Sequence, residues 1–229
     1  MEHFDFCLAW NWPYDSEFRV LLDRACHDRG ISLLQVSPEN LPLTLELLHS
    51  RELSFQAFFD RASDSDERFL TLAAWAGAHA GLYLNPLVHA RQAWDKAGTH
   101  TWLLSYGLPV PPALILPSFE QQPELPAPDL SFLGGRFAIK PAHGGGGRGV
   151  IPCATAWEQV LEARRQFPSD PYLLQAHIEP AWLEGRPAWF RIIHCGGSVF
   201  PCWWDPCTHN YTPVEGHQIE LLGLQPLLD

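Results

Sequence analysis

The chain of 229 residues is poor in positive charge, with 15 Lys and Arg against 26 Asp and Glu and a formal net charge of −11. A surface with that balance repels polyanions, which excludes DNA or RNA as the main partner. No apolar run approaches the ~20 residues that cross a bilayer, and Glu2 and Asp5 stand where a secretory leader would carry a basic segment and an apolar core. A cytoplasmic protein without a membrane partner is the expectation. The six cysteines, at 7, 26, 153, 195, 202 and 207, are too scattered for a secreted disulfide framework. His194, Cys195, Cys202, Cys207 and His209 form a local cluster, but no second CxxC-like knuckle accompanies it, so ordinary buried thiols explain it better than zinc. No Gly-Lys-Ser/Thr follows any glycine run, which excludes a P-loop.

What the chain does have is Phe137 to Val150, FAIKPAHGGGGRGV. An apolar run ending in Lys140-Pro141, then four glycines, Arg148 and Gly149, places a cation beside backbone almost bare of side chains. Bare N–H groups can wrap phosphate oxygens while the ammonium supplies charge. Gly144, Gly146 and Gly149 spell G-x-G-x-x-G, but a dinucleotide fingerprint must open a helix, and Val150 to Cys153 reads as a second strand. The loop is therefore a hairpin tip. In protein kinases the lysine follows the glycine hairpin, whereas here it precedes it.

Before this hairpin the pattern is α/β. Phe4 to Trp10 reads as a buried first strand, Asp15 to Arg29 as a helix stopped by Gly30, and Ile31 to Val36 as a second parallel strand. Glu52 to Phe59 predicts a third strand, with Phe55, Ala57 and Phe59 on one face, and Asp66 to Ala80 a further helix. Trp10 to Asp15 lies where a first strand meets its helix, a place where ligands gather in open sheets. A helix entry with Pro13 near the first turn explains it more simply, since the sequence shows no charge partner there. The six prolines between Pro111 and Pro128 forbid a regular helix, with Ala113 to Leu116 a strand inside a connector.

Strand, Lys-Pro, glycine hairpin and returning strand, in that order, resemble the ATP-grasp superfamily. Three other segments agree. Asn85 to Pro111 looks like that superfamily's connecting segment, in which Asp95-Lys96 opens a helix and Gly107-Leu108-Pro109 ends it. Tyr172 to Glu179 is similar to the strand and hinge that contact adenine, and Ala188 to Val199 to the strand, arginine and Gly-Gly turn that follow. Together these cover roughly half of the chain. The resemblance implies a small N-terminal α/β domain of pre-ATP-grasp type (1–84), a connecting helical segment (85–112), an ATP-grasp N-terminal subdomain with the glycine hairpin (113–172) and a partial C-terminal subdomain (173–229).

It also implies roles. Lys140 and Lys96 would contact the phosphates of ATP, and Gly144, Gly145, Gly146, Gly147 and Gly149, flanked by His143, would close over them. Gln175, Ala176, His177 and Ile178 would face adenine, with Glu179 or Glu184 on the ribose. Arg148 and Arg191 would stabilise the γ-phosphate during transfer. If Arg191 is buried, either an acyl phosphate or a carboxylate in the core would serve as its partner. The implied activity is a ligase that activates a small carboxylate as an acyl phosphate for attack by an amine or thiol, with ATP and Mg²⁺ as cofactors.

The sequence departs from the family pattern in its metal ligands. After Gly197 there are 32 residues (229 − 197), whose acids are Asp205, Glu215, Glu220 and Asp229, and no Glu-x-Asn pair occurs there. Asp205 precedes Pro206 and reads as a turn residue. The magnesium ligands are thus unidentified, and the last subdomain reads as truncated, ending mid-helix at Leu227-Leu228-Asp229. The alternative to a ligase is a nucleotide-binding or scaffold protein without the magnesium site. An uncovered apolar end makes a homo-oligomer or a partner chain the expectation.

Overall fold

The computed structural model describes residues 1–13 and 15–221. Tyr14, Asp229 with the apolar end Leu227-Leu228-Asp229, and the Glu220 side chain lie outside the described residues. The chain forms two compact units, Met1–Ala176 and His177–Asp229.

The first unit opens with β1 (Glu2–Trp10), α1 (Asp15–His27), β2 (Leu33–Val36), α2 (Leu41–His49) and β3 (Leu53–Arg61). A 3₁₀ turn at Glu67–Phe69, α3 (Leu70–His79) and β4 (Leu82–Leu84) follow. The four strands are parallel, in the order β2-β1-β3-β4. Cys7, Leu8 and Ala9 are fully buried, because a parallel sheet is covered on both faces and the second half of β1, from Phe6 to Trp10, is apolar. This covering also overrides the single apolar face expected of β3. Phe55 and Phe58 stack at 5.6 Å and meet Trp75 and Tyr83, while Phe59 meets Phe18 of α1 edge-on at 6.0 Å. The helix expected from Asp66 is interrupted at its start. The Asp66 carboxylate accepts from the Arg68 N–H at 3.0 Å, which caps the 3₁₀ turn before α3 begins.

Next come α4 (Leu87–Trp94) and α5 (Lys96–Ser105). Asp95 Oδ1 accepts from the N–H groups of Ala97 and Gly98 at 3.1 and 3.0 Å, capping α5 where the sequence places its start. Gly107, at φ +70°, ends it in the left-handed region.

Beyond this, β5 (Ala113–Leu116), β6 (Phe137–Pro141), β7 (Ile151–Ala154), α6 (Trp157–Gln166) and β8 (Tyr172–Ala176) complete the unit. These strands make a second sheet in the order β5-β8-β6-β7, antiparallel at every pairing. Ile139, Leu174, Val160 and Tyr172 form its core against α6. The proline-rich stretch is more than a connector. Fully buried Arg164 of α6 donates through Nη2 to the carbonyls of Pro117, Ser118 and Gln122 at 2.8–3.0 Å, pinning that stretch to the helix.

The second unit contains a hairpin of β9 (Trp182–Leu183) and β10 (Arg186–Pro187), and a three-stranded antiparallel sheet of β11 (Phe190–Cys195), β12 (Ser198–Trp204) and β13 (Tyr211–Pro213). A short helix, α7 (Gly216–Leu221), follows. Gly196 and Gly197 make the expected turn between β11 and β12. Trp203 and Val214 are its buried centre, with Phe190 packed on Trp203 at 4.5 Å. Among the described residues, no helix is long and apolar enough to cross a membrane.

Candidate functional site

The glycine segment is a hairpin tip between β6 and β7, as its sequence order requires. The tip needs glycine for two different reasons. Gly144 sits at φ +91° with open space where a Cβ would project, so only the backbone angle demands glycine. Gly149 adds a steric demand at φ +72°, because a Cβ there would lie 2.4 Å from the Phe167 ring.

Both candidate phosphate lysines converge on the start of this loop. Lys140, half-buried on β6, donates from Nζ to Gln175 Oε1 of β8 at 2.6 Å. Lys96, the first residue of α5, donates from Nζ to the Gly144 carbonyl at 2.6 Å and to the Pro141 carbonyl at 3.2 Å. Its backbone N–H donates to the Ala142 carbonyl at 2.8 Å, so the start of α5 is tied to the exit of β6. Burial, and then the Lys96 charge, hold the Lys140 ammonium below the ordinary lysine range. Burial lowers Lys96 as well, partly offset by the Asp170 and Asp95 carboxylates. These two are the only lysines in the chain. A sequence that uses arginine everywhere else places both of its compact ammonium groups at one loop, a signal that a lysine count alone reveals.

His143 donates from Nδ1 to Asp170, the residue before β8's entry at Pro171, which anchors one side of the loop. Reading the sequence missed Asp170, because an aspartate before a proline reads as an ordinary turn. Arg148 is exposed and lies over the Phe167 ring at 5.3 Å. Gln175 spends its side-chain oxygen on Lys140, and the Ala176 N–H donates to the Pro112 carbonyl at 2.8 Å. That N–H is therefore committed within the sheet rather than free for an adenine edge.

The other candidates belong to the second unit. His177 Nε2 lies 3.4 Å from Glu179 Oε1, and Ile178 is exposed. Glu184, at φ +50° in the β9–β10 turn, accepts from Gln218 Nε2 at 2.7 Å. Arg191 corrects the premise of burial. It is exposed on β11 and stacks over Trp204 and Tyr211 at 5.2 and 5.9 Å, so no buried charge needs a partner. Asp205 is the turn residue expected, accepting from Cys207 N and Thr208 Oγ1 at 2.8 and 2.9 Å. Of the cysteine cluster only Cys202 is buried; Cys195 and Cys207 are exposed, which corrects the reading of buried thiols. Among the described residues, no three His, Cys, Asp or Glu side chains converge to hold a metal ion.

No family model and no curated protein matches the chain. Solved structures do. An ATP-grasp RimK domain protein from Sphaerobacter thermophilus matches at 18% identity and TM-score 0.50, over 77% of this chain and 65% of that one. D-cycloserine synthetase DcsG matches at 16% identity and TM-score 0.57, over 95% of this chain and 77% of that one. This chain has the ATP-grasp fold. An L-amino acid ligase from Bacillus licheniformis, at 13% identity and TM-score 0.57, shares it over 99% of this chain and 58% of its own length. In this chain the β6–β7 hairpin and Lys140 belong to the antiparallel sheet, and the β2-β1-β3-β4 sheet precedes it in sequence.

Proposed function

We propose that this protein binds ATP at the Lys96–Lys140 site and belongs to the kind of ligase that activates a carboxylate. The observation that carries the reading is the convergence of the chain's two lysines on a glycine hairpin, where the partner of the Lys140 ammonium is a neutral amide and backbone N–H groups stand beside both cations. The donor set fits a polyphosphate. Lys140 and Lys96 bind its oxygens, and the hairpin N–H groups of Gly144 to Gly147 and Gly149 close over it. In this reading 1–84 is the pre-ATP-grasp-like domain, 85–112 the connecting segment, and 113–172 the subdomain that carries the hairpin, with its end moved to Ala176 because β8 belongs to the hairpin's sheet; the C-terminal subdomain begins after it rather than at 173. Arg148, beside the hairpin, meets the γ-phosphate. Magnesium, which the fold family implies, finds no ligand group of three among the described residues.

The chemistry is acyl transfer in two steps. A carboxylate oxygen attacks the γ-phosphorus and ADP leaves; an amine or thiol then attacks the acyl carbonyl and phosphate leaves. The expected compartment is the cytoplasm.

The test is ADP release with Mg²⁺-ATP and mixed amino acids. Release that Lys140→Ala abolishes supports the ligase. Tight ATP binding without release supports a nucleotide-binding protein instead, and absence of ATP binding contradicts both.

A further inference from the structure

The parallel sheet of the first unit holds a second site. Its strand order, β2-β1-β3-β4, means that the chain leaves β1 toward β2 on one side and builds β3 and β4 on the other. In open α/β sheets, the crevice at the carboxyl ends of the strands beside such a switch is where ligands bind. A cleft of about 700 Å³ lies there, lined by the last residues of β3 and by residues that follow β1, β3 and β4, and its size is within the range of small-molecule sites, roughly 300–1,000 Å³.

Its floor is charged in an unbalanced way. Asp15, the first residue of α1, is 1% exposed, and its Oδ1 accepts from Arg61 Nε at 3.0 Å and Nη2 at 2.5 Å. Both bonds fall on the same oxygen. Asp15 Oδ2 is buried and has no hydrogen-bond partner among the described residues. A buried carboxylate oxygen left unpaired is costly, and it calls for an N–H donor. Asp60, the other buried acid on this wall, is already satisfied by Ala62 N, Ser63 N, Ser63 Oγ and Tyr83 Oη. With Asp64 added, the lining carries three carboxylates against the single guanidinium of Arg61. The cleft therefore favours a cation that donates hydrogen bonds.

Its rim is apolar. Trp12 and Trp94, 52% and 37% exposed, stand on it, and such rings suit both an apolar body and a cation. Asn85, also on the lining, holds φ +55°, a conformation that costs energy and gathers at ligand sites.

We infer that this cleft binds a small molecule bearing an ammonium group on an apolar body, with the ammonium on Asp15 Oδ2 and the body against Trp94. The inference rests on the ATP-dependent reading only for the fate of the amine; the preference for a cation stands on the cleft's own geometry.

A matched pair of probes tests it on the full chain. Phenethylamine and 3-phenylpropanoate share an aromatic body and differ in charge. In calorimetric titration the amine should bind at least about tenfold more tightly than the acid. Asp15→Asn should weaken the amine by about tenfold or more. Should Asp15→Asn fail to fold, Trp94→Ala, on the rim, should weaken the amine severalfold without changing the melting temperature. Equal or tighter binding of the acid, or no amine binding by the wild type at millimolar concentration, overturns the inference. Mg²⁺-ATP titrated into the same samples separates the two sites. ATP binding without amine binding removes the cleft assignment and leaves the ligase reading, and amine binding without ATP binding does the reverse.

Discussion

The ammonium of Lys140 donates to Gln175 Oε1 across two paired strands at 2.6 Å. The register pairs Lys140 with Leu173 and Ala138 with Gln175, so the two side chains are diagonal neighbours on one face of the sheet. A neutral amide thus stands where a carboxylate would have balanced the charge. The Lys140 ammonium has a neutral partner, while the Asp170 and Asp95 carboxylates act on Lys96, and an anionic ligand would suit the first of the two.

The first prediction concerns stability. Lys140 loses proton affinity through burial and the nearby Lys96, so its charged form is less favourable in the folded chain than in the unfolded one. Lys140→Met should leave the melting temperature of the nucleotide-free protein unchanged or raise it. A large fall in thermal denaturation would show that the ammonium stabilises the fold rather than awaiting a ligand.

A second prediction is the pH dependence. With its folded value depressed, each lysine holds fewer protons in the folded than in the unfolded chain, in the window between that value and the ordinary lysine value of about 10.4. The lysine contribution to stability therefore rises with pH across that window. Phosphate reverses the shift, so ATP binding takes up protons there and weakens as pH rises, beginning below the ordinary lysine range. Calorimetry in buffers of different ionisation enthalpy reads the proton uptake directly.

The hairpin glycines should not behave alike. Gly144→Ala meets open space and carries only the cost of a left-handed backbone, about 1–2 kcal/mol. Gly149→Ala adds a clash with the Phe167 ring and should cost about 1–3 kcal/mol more. Urea denaturation of the two variants measures the difference.

The α5 cap offers a local control. Asp95→Ala removes the acceptor for two N–H groups and should cost about 0.5–2 kcal/mol, whereas Asp95→Asn, itself a good cap, should cost little. Because Lys96 is the next residue, ATP affinity should fall in parallel with the loss of the cap, which a titration of both variants checks.

Much of the scaffold was legible before any coordinates. The Asp95 cap, the Gly107 stop, the strand-glycine-strand order around Lys140 and the Gly196-Gly197 turn are local signals, each set by backbone chemistry within a few residues. Long-range pairings were not legible. Arg61 reads as the polar end of a strand and Asp15 as a helix start, yet they are bonded across 46 positions, so the charge partner that Trp10 to Asp15 seemed to lack is there. Pro13 stands just before α1, near its first turn as the sequence suggests. Arg164, in the last turn of α6, is fully buried because three carbonyls of a distant loop receive it. In each case the partner lies beyond any sequence window, and burial follows from the partner.

The most direct measurement is a calorimetric titration of Mg²⁺-ATP into the wild type, Lys96→Met and Lys140→Met, with Arg186→Met of the second unit, which stacks on Trp203, as a control. One equivalent should bind the wild type and the control, and each lysine variant should lose at least about tenfold in affinity. Unaltered binding by both lysine variants, or no binding by the wild type, would contradict an ATP site built on the chain's only two lysines.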